Sequence, residues 1–473
     1  MARLAFSGDW PRAGMRSTGR RPFTMTTQSD TLAQYASALR FDDIPVGVRT
    51  AAKRMMLDTL AVAWAGSAAP GIAGLQQGLL AADATQHASL WAGKRRVSVL
   101  DAAFLNGAAA AALDYDGLHL DAVVHTDIVC LPAVLATAER GHVSGKQFLT
   151  ALILTNEIVC RLGLATHLHS GWFYTSIHGV FGAAAGCAKL LGLDASGIRD
   201  AFGIALSQVG GTQQSMVEKA LTKRIQSAFA ARAGAFSALL AQSGVTAPRE
   251  AFEGRFGFYN MYEEGDPARA LAGLGERYVS AETSLKKYPS CACNHAVIEA
   301  TLALVHEHDL QPADCLGARA IISPYMDRLV GAPYNPAQNP QVAAQFSVQY
   351  SVACAIVRRR LGIAEIQKEA ALDPQLIELA RRVEVVVDQA NTGDLAPGAV
   401  EITTRKHGTL RRQADHLPGG PQQPVTDTEL AAKVNECMAL GTAPLTREQI
   451  ARLSERIMMI DTLTDMAGWQ DGI

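Results

Sequence analysis

The chain has almost no excess of charge of either sign. Its 473 residues include 43 lysines and arginines against 45 aspartates and glutamates, a net charge of -2. A surface that follows a phosphate backbone usually carries a basic stripe with aromatic residues between the cations, and we find no such stripe. We therefore expect no nucleic acid as a partner.

Long hydrophobic runs are also missing. The Ala-rich stretch at residues 104–113 is about half of the roughly 18 consecutive apolar residues that a membrane span needs. We therefore expect a soluble protein with no membrane association.

Nucleotide and nucleophile motifs are lacking too. There is no GxGxxG after a strand, no Walker-type GKS/T and no GxSxG elbow. These absences argue against a nucleotide cofactor and against serine hydrolysis.

The eight cysteines show no paired spacing of the kind that binds zinc, because the lone CxC at Cys291 and Cys293 has no second Cys or His pair at finger-like distance. Most of the others lie in apolar, helix-like stretches where a reduced thiol behaves as a small hydrophobe. The pattern predicts a protein of the reducing cytoplasm.

The apolar fraction is large. A hydrophobic content of 48% over 473 residues is enough for more than one core, so two domains are expected. Residues 1–24 are rich in arginine and poor in acids, which suits a transit peptide, although we favour a flexible extension or an over-extended start and exclude it from the fold.

Hydrophobic periodicity divides the remainder. Three- and four-residue spacing predicts helices from residue 31 to about 281, and after residue 283 strand signals appear at 319–322, 383–387, 399–404 and 409–413. Gly408 could supply the positive backbone angle of a hairpin loop between the last two strands. We predict a mainly α protein: a large helical domain (25–282), an inserted smaller α+β lid domain (283–417), and C-terminal helices (418–473) that return to the helical domain.

Four polar loops deliver the chain into predicted helix starts, where free N–H groups and the helix dipole favour an anion. They span residues 114–127, 167–178, 210–224 and 286–294. This arrangement suggests a carboxylate ligand.

The first loop is the densest in ionisable groups: Asp114, Asp116, His119, Asp121, His125 and Asp127. Three interpretations stay open on the residues alone. The loop is solvated with Asp127 as a helix N-cap, or it performs acid–base chemistry, or its Asp and His side chains ligate a divalent metal, although the spacing matches no HExxH or EF-hand pattern.

The other loops add hydroxyls, cations and a thiol. Tyr174 and Thr175 offer hydroxyls that packing does not explain. Lys223 and Arg224 stand at a helix start, where the dipole opposes cations and a bound anion would relieve the cost. Cys291 follows Lys286 and Lys287, and cations near a thiol lower its pKa, so it suits an acid or base.

Taken together, these segments resemble the MmgE/PrpD family, which includes methylcitrate dehydratases, cis-aconitate decarboxylases and iminodisuccinate epimerases. The resemblance runs from about residue 31 to the end, and it is carried by LDYDGLHLDAVVHTDIVCLPAVLATAE (113–139), SIHGVFGAAAGCAKLLGLD (176–194), LTKRIQSAFAARAG (221–234), FEGRFGFYNMY (252–262), LKKYPSCACNHAVIEA (285–300), FSVQYSVACAI (346–356) and the tail from VEITTRKHGTL (400–410) to MAGW (466–469).

The resemblance implies a homodimer with the site between helical domain and lid, no metal and no cofactor. It places catalytic groups at Asp114, His125, Lys223 and Cys291. Contacts to the substrate are expected from the remaining candidates, His119, Tyr174, Thr175, Arg224 and Lys286.

Some positions depart from the family pattern. Gly117 and Leu118 replace an Asp and a Thr, Thr126 replaces the Pro after the key His, and Phe173 and Gln226 stand where a His is usual. These changes remove polar groups from the pattern that binds tricarboxylates.

The family's chemistry passes through a carbanion-like centre next to a carboxylate, which requires a base, an acid and cations. We expect His125 to transfer the proton with Asp114 orienting it, the lysines to hold carboxylates, and Tyr174 or Cys291 to handle the second proton. The predicted reaction is reversible dehydration of a small hydroxylated di- or tricarboxylate. Epimerisation and decarboxylation follow as alternatives, and a non-catalytic carboxylate-binding protein is the alternative of another class.

Overall fold

A computed structural model describes residues 27–472 apart from 81–85, 94, 168, 169 and 338. The N-terminal extension predicted for residues 1–24 lies outside the described residues.

The first part of the chain is helical, as the periodicity predicted, with one short hairpin. Its elements are α1 (Gln28–Ala38), α2 (Val46–Gly66), α3 (Ile72–Leu80), β1 (Ala88–Ser89), β2 (Arg96–Val97), α4 (Val99–Ala111), α5 (Asp127–Gly141), α6 (Gly145–Ala165), α7 (Tyr174–Leu190), α8 (Ala195–Leu206), α9 (Gln214–Val217), α10 (Lys223–Gln242), α11 (Phe258–Met261) and α12 (Pro267–Leu271).

Helices and strands alternate in the second part. Its elements are α13 (His295–Glu307), β3 (Cys315–Ile322), α14 (Pro324–Val330), α15 (Pro340–Gln345), α16 (Val348–Arg358), α17 (Lys368–Ala371), α18 (Pro374–Ala380), β4 (Val383–Val387), β5 (Gly398–Thr404), β6 (Gly408–Ala414), α19 (Asp427–Met438) and α20 (Arg447–Met458).

Small residues set how closely the central helices pack. A Cβ on Gly182 of α7 would collide with Val159 and Thr155 of α6, and one on Gly179 would come within 2.8 Å of Val129 on α5. Any larger residue at these positions would push the helices apart. The small residues of this Gly/Ala-rich segment therefore permit the close approach of α5 and α6 to α7.

Helix α6 is long and apolar, although charged residues interrupt its apolar sequence. Among the described helices it is the one with the length and mean hydropathy to cross a membrane. Of its most apolar stretch, 94% is buried, and it also holds the buried ion pair between Arg161 and Glu157 (2.7 Å). Helix α6 is thus placed as the core helix of a globular protein, with α5 and α7 packed against it.

The larger sheet has four strands in the order β4-β3-β5-β6. β3 pairs in parallel with β4 and antiparallel with β5, and β5 and β6 form the predicted hairpin, in which Gly408 has a φ of 67°. Helices α13 and α16 pack on this sheet. The four strand predictions are confirmed, whereas the two-residue strands β1 and β2 are too short to leave an alternating pattern.

Two clusters of buried apolar side chains result. One joins the helices of the first part with α19 and α20, which pack on α2, and the other lies between the sheet and helices α13 and α16. The chain is therefore mainly helical with a small mixed sheet. The division into a helical domain and an inserted lid remains a prediction.

Candidate functional site

A cavity of about 80 Å³ collects side chains from segments that are far apart in the chain. Its walls come from the loop between α4 and α5, the start of α7, the segment that leads into α10, the segment before α13, and parts of the sheet-bearing region. The lining residues are Asp114, Leu118, Val123, His125, Phe173, Tyr174, Gln213, Met216, Lys223, Lys286, Cys291, Ala292, Cys293, Tyr325, Leu329, Phe346 and Leu395.

Asp114 is held between two lysines at the polar end of this cavity. Lys223, the first residue of α10, donates to Oδ1 of Asp114, and Lys286 Nζ donates to Oδ2 (3.0 Å) and to the main-chain oxygen of Asp114 (2.8 Å). Burial alone would raise the pKa of Asp114, but the two ammonium groups outweigh it and hold that pKa well below its usual range. Asp114 also raises the pKa of Lys286 and outweighs burial there, so Asp114 and Lys286 both carry charge at neutral pH.

Asp116, not Asp114, orients His125. The carboxylate oxygen Oδ2 of Asp116 lies 2.8 Å from Nδ1 of His125, and the buried hydroxyl of Thr175 accepts a hydrogen bond from the His125 backbone N–H (3.0 Å). Burial opposes ionisation of Asp116, but the His125 charge outweighs it and lowers the pKa of Asp116. This corrects the prediction for Asp114 and gives Thr175 a role in fixing the His125 backbone. The Asp–His contact leaves Nε2 of His125 as the nitrogen that can exchange a proton with a ligand.

Cys291 and Tyr174 also line the cavity. A hydrogen bond from the Cys293 thiol lowers the pKa of Cys291, assisted by the Lys286 charge and opposed by burial, whereas the pKa of Cys293 is raised. Burial raises the pKa of Tyr174, so its hydroxyl keeps its proton. The cavity thus holds a thiol and a phenol beside His125.

Two predicted contacts with substrate lie elsewhere. His119 points away from the cavity: its Nε2 lies 3.1 Å from the Val279 carbonyl oxygen, and its Nδ1 accepts from the Ala122 N–H. Arg224 donates to the Pro70 carbonyl oxygen (2.8 Å) and to Gln341 (2.6 Å).

Through these hydrogen bonds, His119 and Arg224 connect neighbouring segments of the chain. The structure does not bring either side chain to the lining of this cavity, and their contact with substrate stays a prediction.

Sequence reasoning missed several lining residues, among them Gln213, Met216, Tyr325 and Phe346. The ring of Phe346 lies 5.5 Å from the Lys223 ammonium, a cation–π distance. No spacing pattern marks these residues, because each enters the cavity through tertiary packing. Two broader signals were available: Gln213 and Met216 lie in the polar loop at 210–224, and Phe346 begins the stretch FSVQYS that belongs to the resemblance.

Lys433 of α19 supports the site from behind. Its ammonium donates to the main-chain oxygens of Tyr115 (2.8 Å) and Lys286 (3.0 Å) and pairs with Asp58 of α2 (2.6 Å). It also lies 3.9 Å from the centre of the Tyr115 ring. One buried cation therefore fixes the backbone next to both Asp114 and Lys286.

The loop itself is held in an unusual backbone conformation. Asp114 and Val123 both have a φ of 52°, in the left-handed region that costs a β-branched residue most. Leu118 pairs with Ser284 through two backbone hydrogen bonds, and a Cβ on Gly117 would lie 3.0 Å from the Ser284 oxygen. Gly117 thus permits the close approach of the segment that carries Lys286.

The other departures from the family pattern have structural counterparts. Phe173 contributes an apolar ring to the cavity lining, and Leu118 contributes an apolar side chain. Gln226 instead holds the neighbouring loop: its Oε1 accepts from the Thr212 N–H (2.7 Å) and its amide donates to Ser215 (2.8 Å).

The metal interpretation of the first loop receives no geometric support. Within the described residues, no three His, Cys, Asp or Glu side chains converge as a metal site requires. Asp114 faces lysines, Asp116 faces His125, and Asp127 accepts from Asn156. The loop is arranged for ion pairs and proton transfer.

This helical protein has a small cavity that brings together paired lysines, a buried aspartate and an Asp–His couple. Proteins with such a site are suited to binding carboxylates and transferring protons. The chain belongs to the MmgE/PrpD family: the MmgE/PrpD N-terminal domain matches residues 30–271 and the C-terminal domain matches residues 288–457. The resemblance drawn from the sequence is thereby confirmed.

Similar curated proteins bear consistent names. The cis-aconitate decarboxylase-like protein oryM of Aspergillus oryzae is 28% identical over 92% of this chain and 95% of its own length. The cis-aconitate decarboxylase of Aspergillus terreus is 26% identical (92% and 93% covered), and that of Mus musculus is 23% identical (92% and 91% covered).

Proposed function

We propose that this protein is a lyase that decarboxylates a small unsaturated carboxylate by acid–base chemistry at the carbon next to a second carboxylate. The observation that carries the proposal is that one cavity is lined by two buried lysines paired with Asp114 and by His125, which Asp116 contacts. The names of the similar proteins support decarboxylation ahead of the dehydration that the sequence pattern favoured.

The two lysines have N–H donors that are available to a substrate. Among the described residues, Lys223 donates one hydrogen bond and Lys286 two, all of them to Asp114. An ammonium group has three N–H donors, which leaves two on Lys223 and one on Lys286. These suit the two oxygens of a carboxylate, and Asp114 holds both lysines in place.

The chemical step uses this arrangement as an electron sink. When the bond to the leaving carboxylate breaks, carbon dioxide departs and the electron pair spreads into the carboxylate held by the lysines, where their charge stabilises it. The protonated imidazole of His125 then delivers a proton to carbon, and a proton from solvent restores it. Asp116 stabilises the imidazolium and fixes the ring.

Dehydration is the second candidate, favoured by the acidic groups beside His125. A neutral base at His125 would remove the proton next to the carboxylate, and Cys291 or Tyr174 would protonate the departing hydroxyl. Epimerisation would use the same groups to return the proton on the opposite face.

The test is a panel of hydroxylated, unsaturated and amino di- and tricarboxylates incubated with the purified protein in heavy water. Release of carbon dioxide with one deuterium gained on a carbon of the product supports decarboxylation, and a gain or loss of water without release of carbon dioxide supports dehydration. If no compound exchanges deuterium at any α carbon, the enzyme proposal fails and a carboxylate-binding protein replaces it.

A matched pair of variants tests the residue assignment. Asp116→Asn should lower kcat by about 10²- to 10⁴-fold, because the amide cannot stabilise the imidazolium. Asp121→Asn changes an exposed carboxylate in the same loop and should leave kcat unchanged. Equal activity in the two variants would contradict the role given to Asp116.

The homodimer and the cytoplasmic location remain predictions. Sedimentation equilibrium measures the first, and fractionation of cells that express the intact chain measures the second.

A further inference from the structure

Four apolar residues of the cavity lining share one hydrophobic cluster. Leu118, Met216, Leu329 and Leu395 line the cavity, and all four belong to or pack against the same apolar cluster that fills the space beside the sheet. We call these four residues the apolar wall. The wall is therefore an extension of a hydrophobic core into the site, which provides no partner for a charged group.

The positive charge at the other end is small. In the described part of the chain, Lys223 and Lys286 are the lysine or arginine side chains that line the cavity, and Asp114 neutralises one of the two charges. A protonated His125 is balanced by Asp116. Arg224 is engaged outside the cavity.

The net positive charge that remains can balance one carboxylate of a ligand. His125 and the remaining N–H donors of the lysines can bind a second carboxylate. A third carboxylate would have to lie against the apolar wall without a cation, where loss of hydration is not compensated.

We propose that the substrate is a dicarboxylate with a short alkyl branch, in which the carboxylates occupy the lysine end and the branch lies on the apolar wall. The small size of the cavity favours a short branch over a long one. The inference rests on the proposed function for the position of the reacting carboxylate, but it specifies a ligand class that binding alone can test.

The experiment compares two unreactive ligands of the same size by calorimetry with the full chain. Tricarballylate is succinate with a carboxymethyl branch, and isobutylsuccinate carries an isobutyl branch of equal heavy-atom number in its place. Isobutylsuccinate should bind at least about 10-fold more tightly, because its branch needs no counter-charge on the wall. Methylsuccinate, measured alongside, reports how much of the gain depends on the length of the branch.

A matched pair of methionine variants locates the effect. Met216→Gln puts an amide on the wall and should reduce the preference for isobutylsuccinate over tricarballylate by about 3-fold or more. Met459→Gln changes an exposed methionine at the end of α20 and should leave the preference unchanged.

The outcomes separate the two proposals. Equal or tighter binding of tricarballylate overturns the alkyl-branch inference, as does failure of both ligands to bind at millimolar concentration. A preference for isobutylsuccinate without turnover of any compound supports the ligand class and refutes the proposed lyase. Turnover of tricarboxylates together with tighter tricarballylate binding supports the lyase and refutes the inference.

Discussion

Asp127 should make the stability of this protein depend on pH in a way that a single substitution removes. It is the first residue of α5, and it is buried beside Asp58 and Asp116 with one hydrogen bond, from Asn156 to its Oδ1 (2.6 Å). Its Oδ2 has no hydrogen-bond partner among the described residues. Burial raises the pKa of Asp127 to about 7, and the neighbouring carboxylates add to the effect of burial.

The sign follows from proton binding. Between the ordinary pKa of 3.8 and about 7, the folded protein keeps the Asp127 proton while the unfolded chain has released it. The free energy of unfolding therefore falls as pH rises through this window and levels off above it, by about 4 kcal/mol in total at roughly 1.4 kcal/mol per pKa unit.

Asp127→Asn should remove this contribution while keeping an oxygen that accepts from Asn156. Urea unfolding of both proteins is measured at pH 5, 6, 7 and 8. The free energy of unfolding of the variant minus that of the parent should rise by about 3 kcal/mol between pH 5 and pH 8. Asp427→Asn is the matched control, because Asp427 is also the first residue of a helix but its side chain is 90% exposed. Parallel pH curves for parent and Asp127→Asn would refute the assignment.

Three further outcomes are expected. Lys433→Met should lower the free energy of unfolding by about 3–5 kcal/mol in urea titration, because a buried carboxylate loses its partner; a loss below about 1 kcal/mol would contradict the buried pair. Gly419→Ala should destabilise by more than about 1 kcal/mol, since Gly419 has a φ of 88° and its Cβ would collide with the Leu285 oxygen; an unchanged melting curve would count against this contact. Cys293→Ala should raise the pKa of the Cys291 thiol, which moves the pH profile of its alkylation upward, and an unshifted profile would show that Cys293 does not donate to it.

Helices and strands were predicted well where the hydrophobic period was long and regular. The strand at residues 383–387 has the predicted bounds, and the strand predicted at 399–404 begins one residue earlier, at Gly398. Helix α7 begins at Tyr174, inside the polar loop predicted at 167–178, because the polar residues of its first turn, among them Tyr174 of the cavity lining, hide the apolar period. The polar residues near the cavity therefore obscure the start of this helix in the sequence.

The N-cap prediction for Asp127 shows a similar limit. Thr126 occupies the N-cap position, and Asp127 is already helical with its side chain bonded to Asn156 of α6. Capping preference and burial compete for the same carboxylate, and only the position of the neighbouring helix shows that burial prevails.

The sequence by itself determined the helical character, the positions of the larger sheet's strands, the family and the polar loop at residues 114–127, because composition and spacing are local properties. Only the tertiary structure decided that Asp116 serves His125 while Asp114 serves the lysines, that Arg224 points elsewhere, and that Lys433 supports the loop from a distant helix. Ion pairing and pKa depend on distance and burial in space, and chain spacing does not encode either of them.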